Sequence, residues 1–426
     1  MLKGVIQEVD MHSHSGSFQG LGIAPKFLEV LNRNNFTVPT PIQQQSIPVG
    51  IEGKDIIGIA QTGTGKTLAF GIPLLQRLME LQGQALVVLP TRELALQVEE
   101  SLFKIGRPFG LKTAVLIGGE PIWRQIRQLR ARPHVLIVTP GRLIDHLEQK
   151  TLRLDSVKIL VLDEADRMLD MGFAPQINRI LQQIPTERQT MLFSATMPSE
   201  IVSIAARHMK FPVRVEVAPT GTMAKDVTHE LFFVDKPNKI SLLQTVLSEY
   251  KGSVLVFTRT KYETSKIAKA ISAMGHSAVE MHSNRSLGQR REALQGFKVG
   301  KYRVLVATDI VARGIDVSGI ELVINFDLPS TAEDYIHRTG RTGRAGSVGH
   351  AISFAMPHQR SEVKSIERLV RKALPVSPLP AHIKNVSQVP AHAFSHSGRS
   401  YQGGHGPRRP FSGRRPQRKP FSGTSF

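Results

Sequence analysis

One stretch limits the folds open to this chain more than any other: Ala60-Gln61-Thr62-Gly63-Thr64-Gly65-Lys66-Thr67. It follows the apolar run Asp55–Ile59 and precedes a helical pattern over Leu68–Leu81. Strand, glycine-rich loop, Lys-Thr and helix, in that order, make a phosphate loop. Its glycines let backbone N–H groups close on phosphate oxygens, and the N-terminus of the following helix favours negative charge. In such a loop Lys66 reaches the β- and γ-phosphates and the Thr67 hydroxyl holds Mg²⁺. A glycine-rich turn with a solvated lysine is the bland alternative, and the strand–loop–helix context argues against it.

The remaining pattern agrees with a strand–helix alternation. Short apolar runs recur at Ala85–Leu89, Val135–Val138, Ile159–Leu162 and Met191–Phe193. A second set follows at Leu231–Val234, Val254–Phe257, Val304–Ala307, Leu322–Phe326 and Ala351–Phe354. Each ends in a turn-forming or polar residue, as buried parallel strands do. Helical patterns such as Thr91–Phe103 and Tyr262–Met274 lie between them. The fold expected is α/β, with two doubly wound parallel-sheet domains. Their expected bounds are 18–217 and 227–379, joined by a linker at 218–226 and preceded by a flexible N-terminus, 1–17.

Composition narrows the function. Cysteine is absent from the 426 residues, which excludes disulfides, thiolate metal sites and cysteine nucleophiles. There are 55 Lys and Arg against 35 Asp and Glu, a formal charge of +20, which suggests a polyanionic partner, nucleic acid before membrane. No acidic residue follows Glu367, and Arg399–Phe426 is rich in Gly, Pro, Ser and Arg. There Pro410-Phe411-Ser412-Gly413 returns as Pro420-Phe421-Ser422-Gly423. Residues 380–426 are therefore expected to form a disordered basic tail. With Phe394, Tyr401, Phe411 and Phe421 interleaved, it suits loose tethering of nucleic acid, a solvated bystander tail being the alternative. No apolar run reaches the ~18–20 residues needed to span a bilayer. Met1–Ser17 has no apolar signal core. A cytoplasmic protein without membrane attachment is expected, with Met11 a second candidate start.

Two further clusters carry charge where ligands bind. Ile159–Leu162 runs into Asp163-Glu164-Ala165-Asp166, which puts carboxylates at the C-terminal end of a strand. Asp163 suits the Mg²⁺ shell, and Glu164 is placed to orient or deprotonate an attacking water. In the second domain, His337-Arg338-Thr339-Gly340-Arg341-Thr342-Gly343-Arg344 gathers three arginines that need anions nearby. That domain has no phosphate loop of its own, so the row makes sense if it reaches the first domain's nucleotide. An RNA-facing patch is the alternative.

These motifs together, in order from about Phe18 to Leu374, resemble the DEAD-box family of ATP-dependent RNA helicases, and within it the bacterial RhlE-type group. The resemblance implies two RecA-like domains that close over ATP and RNA. Phe36-Thr37-Val38-Pro39-Thr40-Pro41-Ile42-Gln43 is similar to the family's adenine-reading motif, with Gln43 on the adenine edge and Phe36 and Phe18 beside it. Asn35 stands where the family usually has Gly; Asn tolerates positive φ. By the same resemblance Ser194-Ala195-Thr196 links hydrolysis to RNA work through Asp166. Arg341 and Arg344 are fingers on the γ-phosphate, His337 contacts the acidic motif, and Asp316 binds the ribose. RNA contacts map to Arg92, Gly118-Gly119, Thr139 and Arg142 in the first domain. In the second they map to Arg259, Thr308 and the neighbourhood of Gln289-Arg290-Arg291. Ser283 and Ser286 depart from the family's pattern near His282.

The implied activity is RNA-stimulated ATP hydrolysis, coupled to local unwinding of short RNA duplexes and RNA–protein remodelling. An ATP-gated RNA clamp with little strand separation is the alternative. ATP and Mg²⁺ are the implied cofactors. The implied partners are RNA, held mainly by its backbone, and ribosomal or RNA-degradation proteins, with the chain a monomer.

Overall fold

The computed structural model describes residues 16–61, 63–217, 227–312, 320–343 and 348–383. The expected linker and nearly all of the expected tail lie outside them. The first lobe contains strands β1 (Ile56–Ile59), β2 (Gln84–Val88), β3 (Thr113–Leu116), β4 (Val135–Val138), β5 (Val157–Leu162), β6 (Gln189–Ser194) and β7 (Val213–Glu216). The second contains β8 (Val227–Phe233), β9 (Val254–Thr258), β10 (Ala278–Met281), β11 (Val304–Thr308), β12 (Leu322–Asn325) and β13 (Gly349–Ala355). All pairings between these strands are parallel, in the orders β3-β4-β2-β5-β6-β1-β7 and β10-β11-β9-β12-β13-β8.

Why the central strands read as unbroken apolar runs is clear from their packing. Ala85, Val87, Ile159 and Val161 belong to a core on one face of the first sheet. Leu86, Val88, Leu160 and Leu162 belong to the core on the other. Helices cover both faces, so every position is buried and period-two alternation disappears. The three strands absent from those runs, β3, β7 and β10, are all sheet edges. Burial is interrupted in each; polar residues break up β7 and β10, whereas β3 carries a continuous apolar stretch, Ala114–Leu116.

One boundary moves. Pro380–Ile383, expected in the disordered tail, is packed: Ile383 is buried in the second lobe's core and its N–H donates to the Pro380 carbonyl at 2.8 Å. Among the described residues no helix is long and apolar enough to cross a membrane.

Asn35 takes up φ 60° just past helix Pro25–Arg33, its N–H donating to the Asn32 carbonyl at 3.0 Å. This turn sets the half-buried Phe36 against the core. Asn35→Gly should therefore leave stability within a few tenths of a kcal/mol, while Asn35→Val should cost about 1–2 kcal/mol. Urea unfolding midpoints at constant slope check both.

Candidate functional site

Sheet order does most of the positioning. In a parallel sheet, ligands bind beyond the C-terminal strand ends. Neighbours β5, β6 and β1 there present Asp163-Glu164, Ser194-Ala195-Thr196 and the phosphate loop side by side. On the same sheet, β3, β4 and β2 present Gly118-Gly119, Thr139 and Arg92 side by side. The first lobe thus keeps the residues expected at nucleotide on one half and those expected at RNA on the other. In the second lobe, β11 ends at Thr308, and Arg259 directly follows the adjacent β9.

The phosphate loop is tightly built. Ala60 is buried, its N–H donating to the Ser194 carbonyl at 3.0 Å. The Thr64 hydroxyl donates to the Gln61 carbonyl at 2.7 Å. Gly63 and Gly65 have φ 87° and 91°, and Gly65 starts helix Lys66–Leu78. Thr67 is half-buried in its first turn. Gln43 is buried against this loop: its Nε2 donates to the Gly65 carbonyl at 3.0 Å and its Oε1 accepts from the Thr40 N–H at 2.9 Å. A Cβ on Gly65 would lie 2.3 Å from Gln43 Nε2. Both ends of Gln43 are thereby engaged within the protein. Phe18 is buried in the first lobe's core and Phe36 packs on it, so both serve as core residues here. Thr62 lies outside the described residues.

Lys66 is only 5% exposed, and among the described residues its Nζ has no hydrogen-bond partner; the nearest carboxylate oxygen there, Asp163 Oδ1, is 4.0 Å away. An ammonium in that state is a strong site for an anion. Asp163 is itself buried. Burial raises its pKa to about 6, Lys66 opposing and Glu164 adding to the rise. Its Oδ1 accepts the Glu164 N–H at 2.9 Å. Glu164 goes the other way. Burial alone would raise it, but Arg167 at 2.8 Å, Lys66 and Arg341 together bring it down to about 2. Glu164 also sits at φ 50°, ψ 50°, a left-handed conformation that costs a non-glycine residue about 1–2 kcal/mol. Two adjacent carboxylates thus have opposite proton affinities, as a site with divided acid–base roles requires.

Asp166 ties the acidic motif to β6. Its Oδ2 accepts from the N–H groups of Ala195 at 3.1 Å and Thr196 at 2.8 Å, and from the Thr196 hydroxyl at 2.9 Å. The Asp166 N–H donates to the Ser194 hydroxyl at 3.2 Å. Across from it the second lobe brings His337 and Arg341, which with Ala60, Gln61, Asp166 and Thr196 line one cavity of about 460 Å³. Arg341 is buried, and its Nε donates to the His337 carbonyl at 3.1 Å. Arg344 and Asp316 lie outside the described residues. Arg338 serves its own lobe: it is 1% exposed, forks onto Asp309 at 2.5 and 2.7 Å, and stacks over Phe257.

At the other half of the cleft, the Arg92 guanidinium lies against Gly118 and Gly119; a Cβ on Gly119 would sit 2.3 Å from its Nη1. Arg142 Nη1 donates to the Glu120 carbonyl at 2.9 Å, and Thr139 is buried beside it. Arg259 is exposed, its N–H donating to Asp327 at 3.0 Å, and Thr308 is buried at its strand end. Arg290, in the stretch expected near RNA, is 7% exposed and pairs with Glu93 of the first lobe at 3.0 Å, while neighbouring Leu287 enters the first lobe's core. Arginine next to an RNA-side motif reads as a phosphate contact, and only the second lobe's position reveals its carboxylate partner. Arg167 was also missed, although its i, i+3 spacing from Glu164 signals a helical ion pair.

A phosphate loop and an acidic strand end in one parallel α/β lobe, met by a buried arginine from a second, define a two-lobed nucleotide-hydrolysing protein. Comparison makes the class specific. The DEAD/DEAH box helicase model matches residues 40–204 and the helicase conserved C-terminal domain model matches 238–346. The DEAD-box ATP-dependent RNA helicase CshA of Bacillus subtilis is 43% identical over 361 residues, 84% of this chain and 73% of that protein. The ATP-dependent rRNA helicase RRP3 of Debaryomyces hansenii is 43% identical over 369 residues, 86% of this chain and 77% of that protein. Saccharomyces cerevisiae Dbp5 bound to RNA and ADP BeF3 superposes with a TM-score of 0.78 at 28% identity, over 86% of this chain and 96% of that one. Mss116 bound to ssRNA and UDP-BeF gives 0.80 at 26% identity, over 89% and 83%. The chain belongs to the DEAD-box helicase family. These relatives carry the names CshA and RRP3, so they support the family and not the RhlE-type grouping.

The displaced Asp163 gives a test of the site's electrostatics. Its folded pKa, about 6, exceeds its ordinary 3.8, so the folded state binds the proton more tightly. Ionisation therefore lowers stability progressively from about pH 4 to pH 6, and fully above. Asp163→Asn removes that penalty. Without nucleotide the variant should be more stable than the parent by up to about 3 kcal/mol at neutral pH, with the gap closing toward pH 4. Thermal melts across this range check it.

Proposed function

We propose that this chain is an RNA-stimulated ATPase that uses ATP to open short RNA duplexes locally and to remodel RNA–protein complexes. The observation that carries the reading is the division of one charged site between two lobes. Lys66, Asp163 and Glu164 come from the first and Arg341 from the second, around a buried ammonium with no acceptor among the described residues. Family membership supports the same reading, because the relatives are named ATP-dependent RNA helicases.

In this reading the loop Ala60–Thr67 cradles the phosphates, and Lys66 finds its missing acceptor on them. Asp163 and Thr67 fit Mg²⁺: a buried carboxylate and a hydroxyl, with the nucleotide's own oxygens and water completing the shell. Held by Asp163 and Thr67, such an ion would supply positive charge against the nucleotide's phosphates. Glu164, ionised at any physiological pH and held by Arg167, orients the attacking water. Arg341, with Arg344, stabilises the transferring phosphoryl group; such arginines are worth ~10³–10⁵ in rate. Adenine recognition by Gln43 would exchange its bond to the Gly65 carbonyl for one to the base, and Asp316 would take the ribose. Ser194, Thr196, Asp166 and His337 couple the nucleotide to the lobe contact.

RNA phosphates are held by Arg92, Gly119, Thr139 and Arg142 from one lobe and Arg259 and Thr308 from the other. Backbone contacts of this kind are blind to sequence. A monomer in the cytoplasm, acting with ribosomal or RNA-degradation proteins, completes the proposal, and the subgroup proposed is RhlE-type.

Glu164→Gln should retain ATP and RNA binding and lose at least 10²-fold in turnover. A strand-displacement assay on a short RNA duplex should show opening by the parent protein and none by the variant. Normal hydrolysis by Glu164→Gln, or no displacement by the parent, would contradict the reading.

A further inference from the structure

Helix Ile122–Arg130 begins three residues after Gly119 and runs along the first lobe beside edge strand β3. Its inner face is committed. Gln125 is fully buried, donating to the Ile117 carbonyl at 2.8 Å and meeting His146 Nε2 at 3.1 Å. Gln128 accepts the Val115 N–H of the edge strand at 3.2 Å, and Leu129 packs into the core.

The outer face is different. Trp123, the only tryptophan in the chain, is 56% exposed. The guanidinium carbons of Arg124 and Arg127 lie 5.2 and 5.3 Å from its ring centroid. Arg124, Arg127, Arg130 and Arg132 are all exposed, and none has an ion-pair partner among the described residues. Elsewhere among the described residues some exposed arginines find carboxylates, as Arg33–Glu29, Arg179–Glu148 and Arg214–Glu216 show, and others, such as Arg207 and Arg291, do not; what sets this helix apart is four such arginines within nine positions around one exposed tryptophan. No acidic residue occurs between Pro121 and His134. The helix ends at a groove of about 790 Å³ lined by Arg130, Arg132, His134, Lys150 and Arg153. That groove lies at the N-terminal ends of β2 and β4, away from the nucleotide. Arg132 and Lys150 reach it from left-handed backbone, φ 49° and 54°.

We propose that this face is an extension of the RNA path. A strand leaving the Gly118-Gly119 loop follows the helix, its phosphates on Arg124, Arg127 and Arg130 and its bases against Trp123, toward the basic groove. The proposal rests on the RNA-dependent reading above. Three features favour RNA. The track is continuous with a loop already placed at the RNA edge. Its cations are all arginine, suited to phosphate forks and to stacking on bases. Its one large apolar side chain is aromatic. A membrane surface fits poorly, because Trp123 is the one exposed large apolar side chain of the helix, Ile122, Ile126 and Leu129 being half-buried.

Because Trp123 is the only tryptophan, emission excited where the five tyrosines do not absorb reports on this face only. Two oligouridylates serve as probes: the shortest that stimulates ATP hydrolysis, and one extended well beyond it. Trp123 emission should be quenched by the long RNA and unaffected by the short one. The double variant Arg124→Gln, Arg127→Gln should bind the long RNA about tenfold more weakly at low salt, with a log–log salt slope shallower by about 1.4. Its ATPase rates without RNA and with the short RNA should stay unchanged. Equal emission with both RNAs and an unchanged slope, with stimulation intact, would overturn the extended path and assign the face to some other anionic partner. Absence of stimulation by either RNA would overturn the underlying reading and this one together.

Discussion

A buried ammonium without a hydrogen-bond acceptor among the described residues is the constraint around which the rest of this molecule is arranged. Lys66 Nζ lies 4.0 Å from Asp163, too far for a hydrogen bond and too dry for water to compensate. The neighbouring charges respond to it and to burial. Asp163 is pushed up to about 6 and Glu164 is held down to about 2. A polyanion with a bound cation would satisfy Lys66 and use the carboxylates at once. Arg341, the second lobe's contribution to Glu164, makes the electrostatics of the site depend on how the lobes meet.

The lobes meet at two places, and the proposed mechanism needs both. On the nucleotide side, His337 and Arg341 line one cavity with Asp166 and Thr196. On the side proposed for RNA, Arg290 pairs with Glu93, with Arg92 and Arg142 close enough to act on the same cluster. RNA phosphates placed across that second contact would favour the same closed arrangement that brings Arg341 to Glu164. Coupling of RNA binding to hydrolysis then needs no long pathway, only a shared equilibrium between open and closed lobes.

Much of this was legible in the sequence for definite reasons. Central strands buried on both faces leave unbroken apolar runs, and the phosphate loop and acidic motif follow two of them directly. Asn35 stands at a position that needs φ near 60°, as its departure from glycine suggested. Edge strands β7 and β10 were hard to see because half-burial mixes polar residues into them, whereas β3 offered the short apolar stretch Ala114–Leu116. Arg290 and Arg338 look like phosphate contacts in sequence; their carboxylates, Glu93 and Asp309, are 197 and 29 positions away and meet them only in three dimensions. Gln43 illustrates a third case: the motif was visible, but its bond to the phosphate loop depends on where helix Pro41–Ile51 packs.

The central claim, that closure over RNA completes the hydrolytic site, is tested most directly by steady-state ATP hydrolysis with Mg²⁺, measured without nucleic acid, with single-stranded RNA and with DNA of the same sequence. The account predicts strong stimulation by RNA alone. Hydrolysis that is equally fast without nucleic acid, or equally stimulated by DNA, would contradict it.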